Sequence, residues 1–215
     1  FYHNRLHRNY QDDISLHYYL LASKDGITIG KRYFKHENNK EDYPFSPSGH
    51  NLYDNNSKLY YCRDFDNIVY QIHEDSVVPR FRINLPNPLP ASMIEERPNE
   101  MSLLRSGYSL GITDIYEYGG LLFFRFVKDG YIWSCLYNVE ESKQVYCAKR
   151  IKFLDSSLID TIDGIYKDCF YSILTPEYLD YAFSENPLED YPDLFKTYDV
   201  EGDNPVIAFY RAVVR

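Results

Sequence analysis

The sequence predicts an all-β chain built from four-stranded antiparallel units. Three observations predict it. A strand–turn–strand phrase recurs along the 215 residues, the strands are β-branched and aromatic, and short polar turns separate them. Tyrosine dominates the aromatic set, with 23 copies against 13 Phe and one Trp. A tyrosine ring suits a half-buried pleated surface, where the ring packs and the hydroxyl reaches water. The same excess would also suit a surface on which sugar rings stack, but β-sheet alone accounts for it.

The phrase first appears where Leu16 to Ala22 leads through Ser23-Lys24-Asp25-Gly26 into Ile27 to Phe34. With Phe1–Asn4, these read as the last three strands of a unit covering residues 1–35. Next comes a full unit, 44–85, with strands at His50–Tyr53, Lys58–Arg63, Asn67–His73 and Val77–Asn84. Its central turn is Asp64-Phe65-Asp66-Asn67, and Ile68, Tyr70 and Ile72 alternate along the strand that follows. A second full unit, 108–151, has strands near Gly111–Tyr116, Leu121–Val127, Tyr131–Asn138 and Gln144–Ile151. Here Asp129-Gly130 marks a tight hairpin, because glycine accepts positive φ without a Cβ clash. The last unit, 157–215, is incomplete, with strands at Leu158–Asp163, Asp168–Leu174 and Val206–Val213. Four antiparallel strands in about 40 residues is the size of one β-propeller blade.

Two segments break the repeat. Pro86 to Asn99 holds four prolines and is expected to be a long connection that cannot pair as strand. Within Pro176–Phe183 the alternation is lost. Thr175 can cap a helix there, with Pro176 at its first position and Glu177 in its first turn. This predicts a helical insertion in the last blade, and a second short helix is expected over Tyr191–Tyr198.

The formal net charge is −9 and no basic stripe is present, which argues against nucleic acid and anionic membrane surfaces as partners. The densest basic cluster, Lys149-Arg150-Ile151-Lys152, reads as a solvated strand edge. The strongest apolar run, Leu121 to Val127, is too short to span a membrane and is interrupted by Arg125. Of the four cysteines, Cys62 and Cys169 sit in apolar runs and read as buried thiols. A turn near Glu141 would set Cys135 and Cys147 face to face across a hairpin, which leaves a disulfide or two free thiols open.

At Leu59-Tyr60-Tyr61-Cys62-Arg63-Asp64-Phe65-Asp66-Asn67-Ile68-Val69-Tyr70-Gln71-Ile72, followed by Val77 to Leu85, the chain resembles the six-bladed β-propeller proteins of Bacteroidales-type bacteria. The closing Asp203-Asn204-Pro205-Val206-Ile207 is similar to that family's last strand. The resemblance implies a C-terminal portion of a six-bladed ring. It also implies secretion to the periplasm, or lipid anchoring at the outer membrane through a cysteine upstream of Phe1. Phe1-Tyr2-His3-Asn4 reads as the middle of a strand, so a longer, monomeric parent chain is expected.

Candidate sites are few. Asp64-x-Asp66-Asn67 has the start of a calcium loop, but Ile68 and Val69 stand where a ligand and a glycine are needed, so a hairpin turn is expected. His3 and His7 are four apart but lie in strand and loop, not on a helix face. Propellers bind ligands at the ends of the innermost strands, which points to His50, Asn51, Asp114, Glu117 and Asp163 as channel-face residues. No nucleophile elbow, phosphate loop or zinc-helix motif occurs, so no catalytic residue, metal site or cofactor is assigned. The reading that results is a non-catalytic binding or scaffolding propeller of the bacterial cell envelope, with a glycan, peptide or protein as ligand. A metal-dependent hydrolase or lactonase of the six-bladed type is the alternative.

Overall fold

Antiparallel hairpins organise the computed structural model, which describes residues 2–3, 18–26, 28–35, 47, 50–96, 98–149, 162–185, 197–199, 201–202 and 204–211. In chain order the first strands are β1 (Tyr2–His3), β2 (Tyr18–Ser23), β3 (Ile29–Lys35), β4 (Leu52–Asn55), β5 (Lys58–Cys62), β6 (Ile68–Ile72) and β7 (Val77–Arg82). Two short helices follow, α1 (Ala91–Glu95) and α2 (Glu100–Leu104). Then come β8 (Ser109–Tyr118), β9 (Leu121–Lys128), β10 (Tyr131–Asn138), β11 (Lys143–Ala148), β12 (Gly164–Tyr166), β13 (Cys169–Leu174), α3 (Pro176–Glu185) and β14 (Val206–Tyr210). The sheets are β1-β2-β3, β4-β5-β6-β7, β11-β10-β9-β8 and β12-β13-β14. Both full four-stranded units expected from the sequence are present, and so is the helical insertion. The expected helix over Tyr191–Tyr198 falls largely outside the described residues.

Contacts divide the chain into two compact units. The first comprises Phe1–Tyr53, Lys58–Asp114 and Phe126–Gly130. Its core forms where one sheet's apolar face meets another's: Leu20 of β2 with Tyr61, Tyr70 and Ile72 of β5 and β6, flanked by Tyr33 and Phe34. Burial of these side chains is the main stabilising term, at roughly 1.5–3 kcal/mol for each large apolar residue. Arg63 lies at the edge of this core. Its Nε and Nη2 donate to Asp66 Oδ2 at 2.9 and 2.6 Å, and its guanidinium sits over the rings of Phe34 and Tyr70. The other Asp66 oxygen accepts the amides of Asn67 and Ile68. That carboxylate therefore closes the hairpin turn, as the turn reading requires.

The proline-rich connection forms no strand, as expected, and the fold adds short helices and a bridge to it. Asn99 accepts the Ser102 amide and starts α2, whose Leu103 is buried with Leu110 and Val127. Pro88 forms an isolated parallel bridge to Ser109. Proline lacks a donor but keeps its carbonyl, and the flanking Leu89 amide donates to Ser109 O at 3.1 Å. The segment thus bridges at one point and carries α1, and α2 begins just after it.

The second unit comprises Asp54–Ser57, Ile115–Arg125 and Tyr131–Arg215. The Asn55 amide donates to Ile115 O and its Oδ1 accepts the Glu117 amide, so one buried side chain satisfies two backbone groups. The helix α3 starts as predicted: Thr175 Oγ1 accepts the Tyr178 amide, and Leu179 and Ala182 pack with Leu174 of β13. Hydrogen bonds from its own backbone amide and from the Thr175 side chain hold the Glu177 carboxyl below the usual range. Among the described residues the first strand of this last sheet is Gly164–Tyr166, and the expected strand Leu158–Asp163 lies largely outside them. Asp163 precedes it, its amide bonded to Tyr171 O, and residues 158–161 lie outside the described residues. Gly164 leaves room for the ring of its cross-strand neighbour, which would have to shift if a side chain stood there. A Cβ would meet the Tyr171 ring at 2.6–2.7 Å.

Cys135 and Cys147 are register partners on β10 and β11, with Cα atoms 4.0 Å apart, and are joined as a disulfide. Cys62 is a buried free thiol, and Cys169 is free and partly exposed. Among the described residues no helix is long and apolar enough to cross a membrane.

Candidate functional site

The five channel-face candidates fall in both units. In the first unit, His50 is exposed and its ring lies 4.6 Å from that of Tyr53. Asn51 is buried, and its amide donates to Cys62 O (2.9 Å) and Asp64 Oδ1 (3.0 Å). Asp114 is buried as well. In the second unit, the Glu117 amide is held by Asn55. Asp163 Oδ2 accepts the Ile173 amide at 2.7 Å, while its carbonyl accepts the Tyr116 hydroxyl at 3.0 Å. The bonds of Asn51 and Asp163 tie strands together, a role that polar residues at strand ends take readily. Of the basic cluster at 149–152, Lys149 lies 3.6 Å from the Tyr131 ring centroid, and residues 150–152 are outside the described residues. Among the described residues no three His, Cys, Asp or Glu side chains converge on one point.

A cleft of about 250 Å³ opens in the second unit, lined by Tyr118, Gly119, Leu121, Asp168, Phe170, Tyr210 and Arg211. Each wall follows from local structure. Gly119 and Gly120 both take positive φ, which turns β8 tightly into β9 and leaves Tyr118 at the mouth. Phe170 is buried as the floor, with the Tyr118 ring edge-on to it at 6.4 Å. Phe170 and Tyr210 are cross-strand partners on β13 and β14 and so project to the same side. Asp168, in the turn between β12 and β13, pairs with Arg211 just beyond β14, and both side chains are exposed.

The chemistry of the cleft is that of recognition. Burial pushes the Tyr210 hydroxyl up to about 12, while the Ser172 side chain works against the rise. It is therefore a neutral phenol at physiological pH. Asp168 and Arg211 offer acceptor and donor side by side at the rim. A volume of about 250 Å³ is below the roughly 300 Å³ at which sites for drug-sized ligands begin. It suits a single ring or side chain of a larger ligand. None of the five channel-face candidates lines this cleft. Its residues are separated by some 90 positions, and the Gly119-Gly120 turn beside Tyr118 was the one local sign of it in the sequence.

A family described as 6-bladed beta-propeller matches residues 1–157. The chain is also similar in fold to the crystal structure of a Bacteroides fragilis protein described as exported, with 15% identity and a TM-score of 0.67. The match covers 93% of this chain, which spans 59% of the length of that one. No curated protein matches the sequence.

Proposed function

The chain belongs to the 6-bladed beta-propeller family, and on that premise we propose that it is a non-catalytic binding or scaffolding module of the bacterial cell envelope. Its ligand is a polymer that inserts one ring or side chain into the cleft between Tyr118, Phe170 and Tyr210, a glycan being the first candidate and a peptide the second. The observation that carries the reading is the cleft itself. An aromatic floor with a polar pair at its rim supplies stacking area and directional hydrogen bonds.

The envelope assignment has two supports. The Cys135–Cys147 disulfide favours an oxidising compartment, since cytosolic thiols are kept reduced. The Bacteroides fragilis protein of similar fold is described as exported. Periplasmic residence or lipid anchoring at the outer membrane is the form that export takes in this proposal.

The test is binding to an array of cell-wall and capsular oligosaccharides and of unstructured peptides. Retention of one class is expected, lost on Phe170→Ala or Tyr118→Ala and weakened by Arg211→Ala. Retention of no member, or retention indifferent to all three substitutions, would sink the reading.

A further inference from the structure

At the rim of the cleft a carboxylate and a guanidinium are fixed side by side. Arg211 Nη2 donates to Asp168 Oδ2, which ties the residue after β14 to the turn between β12 and β13. The pairing leaves capacity on both partners. Among the described residues, the other oxygen, Asp168 Oδ1, meets the Cys169 thiol at 3.6 Å, and a thiol is a weak donor. A guanidinium carries more N–H donors than this one contact uses. The Arg211 and Asp168 side chains are 70% and 51% exposed. The mouth therefore presents an acceptor and a donor in adjacent positions beside the aromatic lining.

Charge at the mouth leans negative. Glu140, in the β10–β11 turn, lies over Gly120, with its carboxyl carbon and Oε1 each 3.0 Å from where a Cβ would stand. Gly120 sits between Gly119 and Leu121, which both line the cleft. Lys167, next to Asp168 in sequence, is drawn away over the Tyr166 ring at 5.2 Å. Among the described residues Glu140 and Asp168 thus outnumber Arg211 there, on a chain of net charge −9. An anionic ring would meet two carboxylates and a guanidinium already paired. A cationic ring gains little at Asp168, whose charge Arg211 balances.

We infer, resting on the reading of this cleft as a ligand site, that it selects an uncharged sugar ring by two neighbouring hydroxyls, one donating to Asp168 Oδ1 and the other accepting from Arg211. A hydroxyl both donates and accepts, so an adjacent pair complements the acceptor–donor pair in either order. A ring carboxylate only accepts, and would have to displace Asp168 from Arg211 to find a partner. A Phe or Tyr side chain of comparable size carries at most one hydroxyl and leaves one of the two rim groups unmet. Asp168 is thus the residue that sets specificity, and Glu140 reinforces it by charge alone.

Matched tetrasaccharides offered to the purified protein test this: glucan, mannan and galactan beside glucuronan, mannuronan and galacturonan, with a glucosamine tetrasaccharide as the cationic member. At least one neutral member should bind roughly tenfold or more tighter than its charged counterparts. Methyl esterification of the matching uronan should restore binding. Asp168→Asn should weaken the neutral ligand and narrow its lead over the uronan. Glu140→Gln should narrow that lead while leaving neutral affinity unchanged. Cys169, a partly exposed thiol beside Asp168 Oδ1, supplies an independent readout. Its alkylation should slow under saturating neutral ligand, with buried Cys62 as the internal control. Equal binding of neutral and charged members, a preference that Asp168→Asn leaves untouched, or Cys169 alkylation indifferent to a bound sugar would overturn the inference. If Phe170→Ala still abolished that binding, the cleft reading would stand without it. Binding of peptides alone would also overturn the inference and leave the cleft in use. Binding of nothing would remove the cleft reading and the inference together.

Discussion

Gly111 on β8 lies directly against the backbone of Phe65. A Cβ at position 111 would stand 2.7 Å from Phe65 Cα and 2.9 Å from the Asp66 nitrogen, and Gly111 has a φ of 92°. The adjoining Ile112 amide donates to Asp66 O at 3.1 Å. The strand thus approaches the β5–β6 turn more closely than any side chain allows.

Gly111→Ala is therefore expected to destabilise the chain strongly. Strain at the backbone and displacement of a backbone neighbour each cost about 1–3 kcal/mol. Urea denaturation should show a lower midpoint, with Gly119→Ala as the comparison. Gly119 also has positive φ, but a Cβ there meets nothing within 4 Å, so its cost should be the smaller.

Asp66 is expected to matter through both oxygens. Removing its carboxylate in Asp66→Ala leaves the Arg63 guanidinium without its partner and two turn amides uncapped. A loss of about 2–3 kcal/mol is expected for a part-buried, charge-assisted cluster of this kind. Asp66→Asn, which retains one acceptor, should lie between the two in chemical denaturation.

Alkaline pH should weaken the fold. Burial raises the Tyr210 hydroxyl from 10.0 to about 12, and burial pushes Tyr61 upward as well. A group with a raised folded-state value contributes stability that is complete below its unfolded value and is lost as pH climbs through the folded one. Burial also raises the Cys62 thiol from 9.0, so thermal melts should be flat up to pH near 9 and fall from there, most steeply above 10 as the tyrosines join, with the Tyr210 share complete near 12. Tyr210→Phe should flatten part of that fall, and an unchanged slope would contradict the assignment.

The disulfide should be detectable and useful. Peptide mapping of protein made in an oxidising compartment is expected to show Cys135 linked to Cys147, with Cys62 unmodified until the protein is unfolded. Closing a short loop, with the two cysteines 12 apart in sequence, should contribute roughly 2–4 kcal/mol. Reduction should lower the denaturation midpoint by that amount, and Cys135→Ser should reproduce the effect.

Much of the architecture was legible because it is local. The Asp129-Gly130 turn, with φ of 54° and 73°, and the helix started by Thr175, Pro176 and Glu177 depend on a few adjacent residues. What neighbouring residues do not supply comes from further along the chain. The Pro86–Asn99 connection forms no strand, as its prolines require, and only the fold shows that Ser109 bridges to it. The strand at Gly164–Tyr166 opens on a glycine, which breaks a strand pattern, and the Tyr171 ring that packs over it comes from the next strand.

Sequence by itself determined the all-β class, the two four-stranded units, the hairpin turns and the helical insertion. Alternation, turn chemistry and helix capping act over a few residues, so their physical causes are written in neighbouring positions. Tertiary structure alone decided that Tyr118, Phe170 and Tyr210 line one cleft and that Asp168 meets Arg211 at its rim. Those relationships join residues far apart in the chain, and they follow from strand register, because a one-residue slip sends every side chain of a strand to the opposite face.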